Sequence, residues 1–128
     1  MDQQTAVRVG EQPTLHEALP FDLDFLAAQT LGDPGLEQEV LRMFDQMSRV
    51  YFGRLETSTT VADLLLHLHT IKGAAAGVGA LRLADLARTM ESELRSGLPV
   101  NPKRVDEIEI AVREVSAFIA ERLRDAVA

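Results

Sequence analysis

His69-Thr70-Ile71-Lys72-Gly73-Ala74-Ala75-Ala76-Gly77-Val78-Gly79 reads as the second half of an amphipathic helix and the turn that ends it. Residues three and four apart are neighbours on a helix surface, so positions 69, 72, 73 and 76 share one side. A histidine there has a cation one turn away and, at Gly73 and Ala76, an almost bare backbone beside it. Such surroundings suit an imidazole that carries a phosphoryl group: a lysine is a mobile point charge for phosphate oxygens, and small side chains leave them room. The plainer reading is a surface histidine without a task. Only two lysines occur in the whole chain, Lys72 and Lys103, and one of them falls a single turn from His69.

Working outward, the same helix extends back to Val61. Residues placed at 100° steps put Val61, Leu64, Leu65, Leu68, Ile71 and Ala75 on one apolar face. His69 sits about 100° from Leu68, at the flank of that face, where water reaches its ring. His67 lies on the opposite flank as a surface or edge residue, so the two histidines cannot close on one metal ion as an i, i+4 pair could. Leu66 points away from the apolar face and is a candidate contact for a partner. Gly77 and Gly79 are expected to end the helix and allow a tight reversal.

Before it, Thr57-Ser58-Thr59-Thr60 is a polar break with capping residues. A long helix precedes the break, opened by Asp33-Pro34 and running to about Glu56, with Leu36, Val40, Met43, Phe44, Met47, Val50, Tyr51 and Leu55 expected inward. Ahead of that, Asp22 caps a short helix bearing Phe21, Phe25, Leu26 and Leu31, which Gly32 stops. After the central stretch, a helix over about Ala80 to Ser96 turns Leu83, Leu86, Ala87, Met90 and Leu94 inward. Asn101-Pro102 then opens a last helix with Val105, Ile108, Val112, Val115, Ile119 and Leu123 as its stripe. No strand pattern occurs. The expected fold is all-α: an up-and-down antiparallel four-helix bundle with a short extra N-terminal helix as a lid. Residues 1–19, with Gly10, Pro13 and a solvated His16, are read as a flexible arm, and 20–128 as the bundle domain.

Composition closes several functional classes. The chain of 128 residues fits one domain, and no apolar run approaches the ~20 residues of a membrane span. No secretory leader is visible at the start, so the cytoplasm is the expected location. Without cysteine there is no disulfide, no thiolate zinc site and no thiol nucleophile. A net charge of -7 argues against nucleic acid as a partner. No Gly-rich nucleotide loop and no acidic cluster for Mg²⁺ is present, so no cofactor of the chain's own is expected.

His69-Thr70-Ile71-Lys72-Gly73-Ala74-Ala75-Ala76, followed by Gly79-Ala80, Leu83, Leu86 and Met90-Glu91, resembles histidine-containing phosphotransfer (HPt) domains. Their pattern is a His-x-Leu-Lys-Gly-Ser/Ala core leading to a later Leu/Met-Glu. The related phosphotransfer domain of chemotaxis histidine kinases is similar, and the likeness extends from about Phe21 to Gly97. What the resemblance implies is carried over residue by residue. His69 matches the phosphoacceptor, Lys72 the lysine that favours the phosphorylated state, and Gly73 the small position that keeps the site open. Glu91 matches a position on the neighbouring helix that in some members is hydrogen-bonded to the histidine; a solvated helix charge is the alternative. A carboxylate at Nδ1 would fix the tautomer and leave Nε2 as the nucleophile. Arg88 and Arg95 share that helix, where contact with the phosphoryl group is one reading; that of solvated charges is preferred for both. Ala74 departs from the frequent serine, and His67 and Leu68 stand where small residues are common.

The implied function is a histidine phosphotransfer protein of a two-component phosphorelay. It would be a phosphocarrier, not an enzyme, accepting a phosphoryl group on His69 from a receiver-domain aspartate and passing it to another receiver. Partners are then receiver domains of response regulators or of a hybrid histidine kinase, with Mg²⁺ expected on the receiver; a monomer is expected. Two alternatives stay open: the phosphoacceptor domain of a chemotaxis-type kinase, and a non-catalytic helical adaptor. A kinase dimerisation helix pair fits less well, since Thr70 follows the histidine where an acidic residue is typical there and no proline occurs until Pro99.

Overall fold

The computed structural model describes residues 19–127, so the arm expected over 1–19 falls, Leu19 apart, outside the described residues. Five helices follow: α1 Leu23–Gln29, α2 Pro34–Thr57, α3 Val61–Val78, α4 Leu81–Arg95 and α5 Pro102–Val127. The described residues contain no strand. Four of the five starts carry a side-chain cap, and α4, which follows Ala80, has none. Asp22 Oδ1 accepts the Phe25 N–H at 3.0 Å, and Asp33 Oδ1 accepts the N–H groups of Gly35 and Leu36 at 2.9 and 3.3 Å. Thr60 Oγ1 accepts from Asp63 at 3.1 Å, and Asn101 Oδ1 from Lys103 at 3.0 Å. Each satisfies an N–H that the helix leaves without an internal partner.

Helices α2 to α5 pack in chain order, α2 on α3, α3 on α4 and α4 on α5, and α5 closes on α2. Short connections make successive helices antiparallel, which is the expected bundle. Its core holds Leu41, Phe44, Phe52 and Leu55 of α2 against Leu64, Leu68, Ile71 and Ala75 of α3. From the other half come Leu83, Ala87, Met90 and Leu94 of α4 and Ile108, Val112, Val115 and Ile119 of α5. Helix α1 packs on α3 as a lid. Beneath its start, Phe21 is buried edge-on to Phe44, with centroids 5.9 Å apart, and 5.4 Å from Phe118.

Gly79 holds the lid in place. It ends α3 with φ +86°, a left-handed conformation that side chains disfavour, and its carbonyl accepts the Asp22 N–H at 2.8 Å. A Cβ there would stand 3.0 Å from the Asp22 carbonyl oxygen and 3.1 Å from the Phe25 ring. Gly77, expected to help end the helix, lies inside α3.

The core register of α2 differs from the expectation. Its buried side is Leu41, Phe44, Ser48, Phe52 and Leu55. Of the residues expected inward, Leu36, Met43 and Val50 are exposed, Met43 at 68%, while Val40, Met47 and Tyr51 pack at the rim. The helix has apolar residues over an arc wider than its buried face, and periodicity alone selects the wrong edge of that arc. Leu31 and Val61, also placed on apolar faces, are exposed at 86% and 50%. Leu31 lies beyond α1 at φ +56°, in the turn to Asp33, and Val61 is the first residue of α3.

Candidate functional site

Helix α3 presents His69 on the bundle surface because Leu68 and Ile71, on either side of it in sequence, are drawn into the core. The imidazole is 65% exposed. Helix α4 lies alongside and, between the buried Met90 and Leu94, carries Glu91 into the seam between the two helices, where its side chain is buried. Three groups converge on that carboxylate. Lys72 Nζ is 2.8 Å from Oε1, Arg95 Nη2 donates to Oε2 at 2.7 Å, and His69 Nδ1 lies 3.3 Å from the same Oε2.

Burial would push the Glu91 carboxyl up, because an anion loses its hydration there. Hydrogen bonds from Lys72 and Arg95, the nearby Lys72 charge and the contact with His69 outweigh it and hold the group at about 2. Glu91 is therefore a fixed anion at neutral pH. An anion at Nδ1 favours a proton on that nitrogen and leaves Nε2 as the ring atom not committed to Glu91. The imidazole also borders an open depression lined by Lys72, Arg88, Glu91, Ser92 and Arg95. Arg88 is held by Asp85 on its own helix. In a chain of net charge -7, this depression gathers three of its cations beside an exposed imidazole. Its chemistry suits a tetrahedral anion attached to Nε2.

The residues singled out in the sequence come together to different degrees. His69, Lys72 and Glu91 share one cluster, and Gly73 is an exposed position of α3 where an added Cβ would meet nothing within 4 Å. Lys72 bonds the carboxylate of the next helix, which its spacing from His69 could not reveal. Arg95, read as a solvated charge, donates to Glu91, and the i, i+4 relation of the two was the available signal. His67 lies at the edge between α3 and α2, its ring 5.8 Å from that of Tyr51. Leu66 is exposed, as expected.

A family model described as the Hpt domain matches residues 39–118, from within α2 to within α5, which is more than half of the chain. The chain belongs to the Hpt domain family. Searches of curated proteins and of solved structures returned no match. The matched span of this Hpt domain contains the whole cluster of His69, Lys72, Glu91 and Arg95. Family membership carries a role in histidine phosphotransfer within a phosphorelay, and with it interaction with receiver domains. No described helix of this Hpt domain is long and apolar enough to cross a membrane.

Proposed function

We propose that this Hpt domain takes a phosphoryl group onto Nε2 of His69 from the phosphoaspartate of one receiver, in a response regulator or a hybrid histidine kinase, and gives it to another. The observation that carries the reading is the buried Glu91 carboxylate at 3.3 Å from Nδ1 of an exposed imidazole. The Nε2 lone pair forms a bond to phosphorus as the bond from phosphorus to the aspartyl oxygen breaks, and that oxygen leaves with the electron pair as a carboxylate. The Nδ1 proton stays on the ring, and the imidazolium charge that develops faces the Glu91 anion. Transfer onward is the same step reversed with a second aspartate. Phosphoryl transfer depends chiefly on positioning and charge neutralisation, so a carrier need supply only the nucleophile and its cations, with Mg²⁺ held by the receiver.

A docking face is proposed on the α2 side of His69. Val40, Met43, Met47, Ala74, Gly77 and Val78 form a shallow apolar groove between α2 and α3, and Leu66 shares a face of α3 with Gly77 about three turns away. Apolar contacts on one flank of the imidazole and cations on the other fit a receiver whose acidic phosphorylation pocket has an apolar border. The test is incubation with a phosphorylated receiver. Wild type should gain acid-labile label, and His69→Gln should gain none; label persisting on His69→Gln would refute the assignment.

A further inference from the structure

The oxygen nearest the His69 ring is not its own. Glu91 Oε2 accepts a short charged hydrogen bond from Arg95 at 2.7 Å, whereas His69 Nδ1 stands 3.3 Å away, at the weak end of hydrogen-bond range. Lys72 occupies the other oxygen at 2.8 Å. The buried anion is thus already bound by two full positive charges, and the pull it exerts on the Nδ1 proton is correspondingly reduced.

We propose that Arg95 is a positioning residue that is handed over during phosphotransfer: it holds Glu91 Oε2 in the free protein and swings to the phosphoryl oxygens once they arrive on Nε2 of His69. Oε2 is then left to the Nδ1–H. The inference rests on His69 being the phosphoacceptor. Three observations single out Arg95 over Lys72. Its side chain is 59% exposed against 30% for Lys72, so it can move without opening the core. It is the last residue of α4, followed by the Ser96-Gly97 turn, so no further turn of that helix lies beyond it. Its planar guanidinium matches two phosphoryl oxygens at once, which an ammonium cannot do. The charge count points the same way. Lys72 and Arg95 set two positive charges against the single negative charge of Glu91, whereas a carboxylate together with a phosphoryl group of charge about -2 leaves neither cation in excess. No covalent bond changes in the hand-over, and the bonds made and broken in the transfer are those between phosphorus, Nε2 and the aspartyl oxygen. The consequence is a timing effect: Glu91 is least available to Nδ1 before transfer and most available when the imidazolium charge appears.

The test charges full-length protein with a phosphorylated receiver, removes the receiver, and follows the phosphohistidine of wild type, Arg95→Ala and Arg95→Lys. Nitrogen NMR of the arginine side chains is recorded before and after charging. The Arg95 Nε–H signal of wild type should shift on phosphorylation and stay unmoved in His69→Gln treated alike. Arg95→Ala should shorten the phosphohistidine lifetime about three- to tenfold, the loss of one charge-assisted contact, and added ethylguanidinium should restore part of it. Arg95→Lys should fall between the two. An Arg95 signal that does not move on charging, or a lifetime in Arg95→Ala equal to wild type, overturns the hand-over while leaving His69 as acceptor. Failure of wild type to take label overturns the acceptor assignment itself.

Discussion

Glu91 is a buried carboxylate whose neighbours decide its charge. Its carboxyl lies at about 2 in the folded protein against 4.5 for an ordinary glutamate, so the folded state binds its proton less readily than the unfolded chain. The stabilisation is therefore fully present above pH 4.5 and is lost as pH falls through 2. Glu91→Gln keeps the shape and removes the charge, leaving Lys72 and Arg95 facing a neutral amide. We expect it to lower stability at pH 7 by about 1–2 kcal/mol, less than for a sealed ion pair because both cations reach water. Its urea midpoint should also fall less steeply than that of wild type between pH 4.5 and 2. A variant as stable as wild type at pH 7, with the same acid profile, would contradict this. At this scale the sequence was informative about identity and silent about direction. His69, Lys72 and Glu91 were legible from spacing and resemblance. That Lys72 reaches across to α4 depends on how α3 and α4 are rotated against each other, which no spacing within α3 encodes.

Among the elements, α2 shows most clearly how far periodicity reaches. Its extent and its cap at Asp33 follow from the residues, yet its rotation does not, because Met43 and Phe44 are adjacent and equally apolar by type. The bundle buries Phe44 against Phe21 and leaves Met43 at 68% exposure beside the α3 groove. The two positions should therefore separate stability from recognition. Phe44→Ala should cost about 3–4 kcal/mol in denaturant unfolding, from lost burial and the cavity left behind. Met43→Asp should stay within about 0.5 kcal/mol of wild type and weaken receiver binding in titration calorimetry, as should Leu66→Asp. Full receiver affinity in both aspartate variants would remove the groove from the docking face. Helix α3 was read more accurately in its second half, where the wet side is made of small residues, Gly73, Ala76 and Gly77, and Ile71 and Ala75 are left to build the core.

For the molecule as a whole, the ring of four helices was legible in the sequence because each break carries a capping residue, a proline or, between α3 and α4, glycines. The seating of the lid was not: it depends on a contact between Asp22 and Gly79, residues far apart in the chain. That contact ties α1 to the turn between α3 and α4, the two helices that form the site. Gly79→Ala must place a Cβ at positive φ and 3.0 Å from the Asp22 carbonyl oxygen, and should cost about 1–3 kcal/mol in thermal unfolding. An unchanged melting temperature would show that the lid is not held there. The same bundle gathers Lys72, Arg88 and Arg95 beside the exposed His69 ring in a chain of net charge -7.

The most direct measurement is nitrogen-15 NMR of the histidine rings after charging by a phosphorylated receiver, in which coupling to phosphorus marks the nitrogen that carries the phosphoryl group. The coupling is expected on Nε2 of His69, with Nδ1 retaining its proton toward Glu91. Phosphorus on Nδ1 of His69, on His67 or His16, or on no histidine at all would contradict it.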